Sequence, residues 1–136
     1  MTKKRNFEII ISTCEKFSDL WDGNVFYINQ NWPNRNTTTY LVTDKESNKV
    51  FDGVKIISAG ENTEITDRLK KALEEVTSEY VLFTLDDYFL TEPIQDEKIQ
   101  QAVDFMKSEK IDYLRLYSAT NHYLVYRLSL CFHLLK

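Results

Sequence analysis

Two adjacent carboxylates, Asp86 and Asp87, are the residues of this chain best placed to do chemistry. They directly follow the apolar run Tyr80–Leu85, and apolar residues resume after them. A short apolar run rich in aromatic residues is typical of a buried strand, and open α/β sheets bind ligands at the carboxyl ends of their strands. Carboxylates there are costly unless they are hydrated, paired or bound to a cation. The pair alone indicates either a cation and phosphate site or, equally, a turn with one capping and one solvated aspartate.

Polar residues also end two other predicted strands. Thr13 closes the predicted strand 7–13, and Asp44 follows the predicted strand 38–43. With Asp86 and Asp87 they form a set of oxygen donors at strand ends, which suits a hard divalent cation whose shell a phosphate-bearing ligand completes. The cation would neutralise the charge that grows on a leaving diphosphate. Taken by itself, Asp44 is better explained as a turn-forming residue.

The elements that must position these residues alternate along the chain. The predicted strands are 7–13, 38–43, 54–58, 80–85 and 112–117, and the predicted helices are 18–32, 62–76 and 96–110. The apolar faces of the helices are Trp21, Val25, Ile28 and Trp32, then Ile65, Leu69, Ala72, Leu73 and Val76, then Ile99, Val103 and Met106. This alternation predicts one α/β domain with a mainly parallel sheet flanked by helices.

Composition excludes several classes of protein. The net charge of −4 argues against a general nucleic-acid binder. The two cysteines, Cys14 and Cys131, are far apart and predict a reducing cytoplasmic setting. The first residues of the sequence lack the apolar length and the cleavage site that are typical of a signal peptide, and no stretch reaches the roughly 18 apolar residues of a membrane span. Three glycines cannot form a usual phosphate loop, and two histidines, His122 and His133, do not make a zinc site with these cysteines.

The stretch SEYVLFTLDDYFL, preceded by the amphipathic helix TDRLKKALEEV, resembles the donor half of bacterial GT-A glycosyltransferases of the family 2 type. The segments FEIIISTCEKFSDLWDGNVFYINQNWPN and TTYLVTD are similar to the opening of capsule or lipopolysaccharide sugar transferases. The resemblance covers residues 7–117. It implies a GT-A-like, Rossmann-like domain over residues 1–121. That domain would bind a nucleotide-diphosphate sugar, usually UDP-linked, with Mn²⁺ or Mg²⁺, for transfer to a saccharide or lipid-linked acceptor.

The resemblance also implies roles by position. Asp87 matches the metal-holding residue, and Asp86 matches its partner near the ribose and the metal. Thr13 matches the strand end that lines the nucleotide site, and Asp44 matches the acidic residue near the base. Arg68 lies near the basic residue of the helix before the motif, although by its charge pattern it belongs to a solvated helix face. The usual motif is Asp-x-Asp, so the division of tasks between the two aspartates stays open, and no catalytic base is identified.

Residues 122–136 form an apolar tail that differs from the rest of the chain. Its opening looks like the start of an acceptor half that does not continue, so the resemblance predicts a truncated chain. The tail would contact a partner protein or the inner surface of the membrane.

Two other functions remain open. The first is a non-catalytic remnant or interaction module of the same fold. The second is a metal-dependent nucleotidyltransferase, which would consume a nucleoside triphosphate and release pyrophosphate. Metal-dependent nucleotide binding separates the first from an enzyme, and a product assay separates the second from a glycosyltransferase.

Overall fold

The computed structural model of this chain describes residues 6–116 and 131–134. The elements, in chain order, are β1 (Phe7–Ser12), a 3-10 helix (Glu15–Phe17), α1 (Trp21–Asn31), β2 (Thr39–Thr43), β3 (Val54–Ser58), α2 (Ile65–Glu75), β4 (Tyr80–Leu85), α3 (Asp96–Glu109), β5 (Tyr113–Arg115) and β6 (Cys131–Leu134). The predicted alternation of strands and helices is confirmed up to β5. The observed helices are shorter than predicted, mostly at their amino ends.

The strands form one six-stranded sheet in the order β3-β2-β1-β4-β6-β5. The first four in that order are mutually parallel. Strand β6 is antiparallel to both β4 and β5, so β5 runs in the same direction as the first four. This confirms the predicted Rossmann-like, mainly parallel sheet. The chain lays β2 and β3 on one side of β1 and β4 on the other, so the direction of winding reverses between β1 and β4.

Helices cover both faces of the sheet. Alternate residues of β1 point to opposite faces, and Ile9 and Ile11 belong to the core cluster that contains residues of α1 and α3. Ile10 belongs to the cluster on the other face, with Ala72 of α2. Because both faces are covered, every residue of β1 and β2 is buried.

The predicted apolar faces of α1 and α3 are confirmed, since all their residues are buried. In α2, the apolar residues Leu69, Ala72 and Leu73 pack against the sheet. Ile65 is 44% exposed, so the prediction that it belongs to the buried face of this helix was wrong. It is the first residue of the helix, and the helix meets the sheet only one turn later.

The predicted apolar tail contributes β6 to the interior of the sheet, between β4 and β5. Its near-continuous apolar sequence shows no period that separates a strand from a helix. The rest of the tail and the division of the chain at residue 121 lie outside the described residues and stay predictions. Within the described part of the chain, no helix is long and apolar enough to cross a membrane.

Candidate functional site

The candidate site lies where β1 and β4 end side by side. Ser12 and Leu85 are register partners, and the backbone N–H of Asp86 donates to the Ser12 carbonyl at 3.3 Å. This pairing brings Thr13 and Asp86 together, and the Thr13 hydroxyl donates to the Asp86 carboxylate. The position between β1 and β4 is the topological switch point, where open α/β sheets bind ligands. The structure therefore brings together two of the sequence-predicted site residues at the place where a ligand is expected.

A directed chain of hydrogen bonds reaches Asp86 from helix α1. The indole N–H of Trp21 donates to Thr13 Oγ1 at 2.7 Å. An indole is a donor only, so the Thr13 hydroxyl accepts from Trp21 and keeps its own proton for an acceptor. That proton goes to Asp86, with the Cys14 carbonyl as a more distant neighbour at 3.3 Å. Trp21 was predicted only as a core residue, and the structure adds this polar task.

Asn24 of α1 holds the turn that carries the two carboxylates. Asp86 and Asp87 are the central residues of this turn, which the Tyr88 N–H closes by donating to the Leu85 carbonyl at 3.3 Å. The Asn24 amide donates to the carbonyls of Asp86 at 2.9 Å, Tyr88 at 3.2 Å and Leu85 at 3.4 Å. Sequence reasoning missed Asn24. Its signal was a polar residue three positions after Trp21, on the buried helical face.

The two aspartates have different environments. Asp86 is 8% exposed, and burial raises the pKa of its carboxyl. The Thr13 hydroxyl lowers that pKa and the charge of Asp87 raises it, and the net result is a pKa above the ordinary value. Asp87 is exposed. Asp86 is thus the internal carboxylate of the pair, and Asp87 is the one accessible to a ligand.

Asp44 lies at the same edge of the sheet, and its hydrogen bonds are those of a turn-forming residue. Its Oδ1 accepts from the backbone N–H of Glu15 at 2.7 Å, the N–H of Lys45 at 3.0 Å and the Thr43 hydroxyl at 3.1 Å. Burial raises the pKa of Asp44, but these donors, led by the Glu15 N–H, hold it below the ordinary value. The carboxylate joins the end of β2 to the loop after β1. Its predicted place near a nucleotide base stays a prediction.

Arg68 lies in the first turn of α2, whose amino end follows the carboxyl end of β3. One guanidinium nitrogen donates to the Thr63 carbonyl. Arg68 Nε is buried and has no hydrogen-bond partner among the described residues. The N-terminus of α2 is already capped by carboxylates of the chain, because Glu64 and Asp67 form a capping box. The guanidinium is thus more enclosed than a solvated helix face would require.

The described residues do not form a cation cage of their own. They contain no group of three or more His, Cys, Asp or Glu side chains that could hold a metal ion. Mg²⁺ is usually bound by one or two carboxylates together with substrate phosphates, and it keeps several waters. Asp87 is an exposed carboxylate, and its neighbour Asp86 already accepts a hydrogen bond from Thr13. This pair fits that manner of binding. The predicted Mn²⁺ or Mg²⁺ stays a prediction.

A small cavity lies beneath the acidic turn. Its volume is about 20 Å³, which is room for about one water molecule. Its lining residues come from β1, α1, β4 and the loop after β4; they are Ile9, Asn24, Ile28, Trp32, Leu82, Thr84, Tyr88 and Leu90. Thr13, Asp86 and Asp87 are not among these lining residues, so a ligand that contacts the carboxylates would lie over the edge of the sheet and not in this cavity.

No protein-family model matches this chain, and no curated protein matches it. A solved structure with a similar fold is the bifunctional IspDF from Campylobacter jejuni, with a TM-score of 0.56 and 14% sequence identity. The match covers 94% of this chain and 40% of that one, so the chain spans less than half the length of IspDF. At this identity the likeness shows the fold alone. The chain is thus a small α/β domain of the Rossmann-like class.

The resemblance to family 2 GT-A glycosyltransferases is wrong. The similar solved structure, the bifunctional IspDF, is not a GT-A glycosyltransferase, and the predicted UDP, manganese and polysaccharide have no support from the comparisons. The physical reason lies in the motif SEYVLFTLDDYFL. An apolar strand that ends in carboxylates at a switch point suits any α/β fold that handles phosphates through a cation. The motif therefore does not separate one such class from another.

Proposed function

We propose that this domain binds a nucleoside triphosphate with a divalent cation at the carboxyl ends of β1 and β4, and that it acts in nucleotidyl transfer. The observation that carries the proposal is the acidic turn at the switch point, with Asp86 anchored inward on Thr13 and Asp87 exposed. The fold likeness to IspDF, a nucleotidyltransferase, supports this class of reaction.

In nucleotidyl transfer, an acceptor oxygen bonds to the α-phosphorus while the bond from that phosphorus to the bridging oxygen breaks and pyrophosphate leaves. A bound divalent cation supplies neutralisation of the charge on the leaving pyrophosphate. Asp87 would hold the cation from its exposed position, and Asp86 would support it from within. Thr13 keeps the Asp86 carboxylate at the strand end, next to the exposed Asp87, whose carboxylate would face the phosphates.

Two lysines supply positive charge at the same edge. Lys16 lies in the 3-10 helix after β1, and Lys45 follows β2. Lys45 pairs with Glu15 at 3.6 Å, and both side chains are about half exposed. Because the whole chain carries a net charge of −4, a triphosphate would depend on such local cations and on the metal. We therefore expect the cation and the nucleotide to bind together far more tightly than either binds alone.

The test is calorimetric titration of the four common nucleoside triphosphates with and without Mg²⁺ or Mn²⁺. The wild type should bind at least one of them in a cation-dependent way, and Asp87→Asn should lose that dependence. Asp104→Asn, which removes an exposed carboxylate from α3, is the matched control and should bind like the wild type. Absence of binding under every condition would overturn the proposal and favour a non-catalytic interaction module.

A second measurement tests the reaction itself. Pyrophosphate release from the bound nucleotide should rise when a panel of phosphorylated sugars is added as acceptors. Binding without pyrophosphate release from any acceptor would restrict the function to nucleotide binding.

A further inference from the structure

Asn24 is a buried polar residue inside an otherwise apolar helix face. It is 4% exposed and lies between Trp21 and Ile28, both of which are also buried. A buried amide is costly unless it is hydrogen-bonded. Asn24 meets that need only at the loop after β4, through its three carbonyl contacts there. The residue therefore places its polar group at the acidic turn and at no other feature of the described chain.

The three contacts surround both ends of the turn. The Leu85 carbonyl starts the turn, the Asp86 carbonyl lies at its centre, and the Tyr88 carbonyl follows its end. One amide has two protons, so three carbonyls share them, and the shortest contact, 2.9 Å, is to Asp86 itself. Together with the Ser12 carbonyl and the Thr13 hydroxyl, Asn24 holds the backbone and the side chain of Asp86 from three directions.

A second amide of α1 makes a comparable bond farther along the same loop. The Asn31 side-chain amide donates to the Leu90 carbonyl, and the Asn31 backbone carbonyl accepts from the Ile94 N–H at 3.0 Å. Both asparagines attach the loop after β4 to α1, but only Asn24 contacts the segment that bears the carboxylates. Asn24 therefore tests hydrogen bonding at the site, and Asn31 is the matched control away from it.

We propose that Asn24 is a positioning residue for the ligand site: it sets the turn so that Asp86 stays internal and Asp87 presents its carboxylate to the cation and phosphates. This inference rests on the proposed function for the identity of the ligand. Asn24 does not touch the ligand; it acts through the conformation of the turn.

The experiment measures the apparent affinity for Mn²⁺ at saturating nucleoside triphosphate in wild type, Asn24→Ala, Asn24→Leu and Asn31→Ala. Loss of one well-formed hydrogen bond at the turn should weaken Mn²⁺ binding about tenfold in both Asn24 variants. Asn24→Leu keeps the volume, removes the donors and adds no charge, so it separates hydrogen bonding from packing. Asn31→Ala should lower the melting temperature as Asn24→Ala does and leave Mn²⁺ affinity at the wild-type value.

Hydrogen exchange of the Tyr88 N–H gives a readout that needs no ligand. Exchange should quicken in both Asn24 variants and stay at the wild-type rate in Asn31→Ala. If an Asn24→Ala chain does not fold, Asn24→Ser takes its place in both measurements. Wild-type Mn²⁺ affinity in folded Asn24 variants would overturn this inference alone. A wild type that binds no nucleotide with any cation would overturn the proposed function, and with it the ligand-positioning role.

Discussion

The Tyr40 hydroxyl donates to the Glu8 carboxylate at 3.1 Å in the interior of the sheet. Glu8 is 1% exposed on the central strand β1, and its other oxygen accepts the backbone N–H groups of Thr77 at 2.7 Å and Ser78 at 2.8 Å. Burial and the charge of Glu8 raise the pKa of Tyr40 to about 12. These bonds attach the segment before β4 to β1, and β4 carries the acidic turn at its other end. Glu8 therefore helps set the position of the strand on which the candidate site depends.

Replacement of Glu8 by Gln should destabilise the protein. The change replaces a charged acceptor of two backbone N–H groups by a neutral one, and a hydrogen bond to a charged group contributes roughly 1–1.5 kcal/mol more than one between neutral groups. We expect the free energy of unfolding to fall by about 2–3 kcal/mol, measured by urea denaturation. Glu79→Gln is the control, because Glu79 is exposed and pairs with Lys107 only at 3.8 Å. An equal, small effect in both variants would show that the Glu8 contacts do not stabilise the fold.

The same carboxylate should make stability depend on acid. Burial raises the pKa of Glu8, but the Ser78 and Thr77 N–H groups and the Ser78 and Tyr40 hydroxyls outweigh it and hold the pKa below 4.5. The unfolded chain therefore takes up the proton first, so this stabilisation is present above about pH 4.5 and is lost as pH falls through the folded pKa. Urea midpoints measured from pH 7 to pH 3 should fall more steeply for wild type than for Glu8→Gln. If the urea midpoints of wild type and Glu8→Gln fall in parallel with pH, Glu8 is not the source of the acid dependence.

Much of this fold is readable from the sequence because its signals are local. The β-branched run of β1 and the apolar spacing of Trp21, Val25 and Ile28 follow from period alone. The carboxylates at the end of β4 also follow from local pattern, since the edge where they lie is given by the order of elements.

What the sequence does not show depends on contacts far along the chain. Glu8 and Asn24 are visible in the sequence only as polar residues within apolar elements, because the backbone groups that they bond lie 62 to 70 residues farther along the chain. Strand β6 has no periodic signal, because its pairing depends on which strands flank it. The resemblance to family 2 glycosyltransferases was wrong because the acidic motif describes a position in a sheet that unrelated phosphate-handling enzymes share.

Thr13→Val should destabilise the chain, and Thr13→Ser should restore most of the loss. Valine matches threonine in shape but lacks the hydroxyl, so the Trp21 N–H and the Asp86 carboxylate both lose a buried partner. Each unsatisfied group costs about 1–3 kcal/mol, and we expect a total near 3 kcal/mol in urea denaturation. Trp21 fluorescence should shift in Thr13→Val and return toward the wild type in Thr13→Ser. If serine behaves like valine, the packing of the methyl group and not the hydroxyl holds this site.

Asp86→Asn should separate stability from function. The raised pKa of Asp86, caused first by burial, means that its charge is less favourable in the folded chain than in the unfolded one. Asparagine is nearly the same size, keeps an acceptor for the Thr13 hydroxyl and carries no charge beside Asp87. The free energy of unfolding at pH 7 should therefore stay the same or rise by up to about 1 kcal/mol. Cation-dependent nucleotide binding should weaken in the same variant.

There is a physical reason to expect that Asp86→Asn weakens nucleotide binding without loss of stability. A carboxylate kept at a cost to the fold is typical of a site that uses its charge, whereas a carboxylate kept for the fold, such as Glu8, loses stability when it is neutralised. Urea denaturation and calorimetry on Asp86→Asn and Glu8→Gln, side by side, distinguish the two cases. Loss of stability in Asp86→Asn, with nucleotide binding intact, would make Asp86 a structural residue of the turn and leave Asp87 as the one carboxylate available to a ligand.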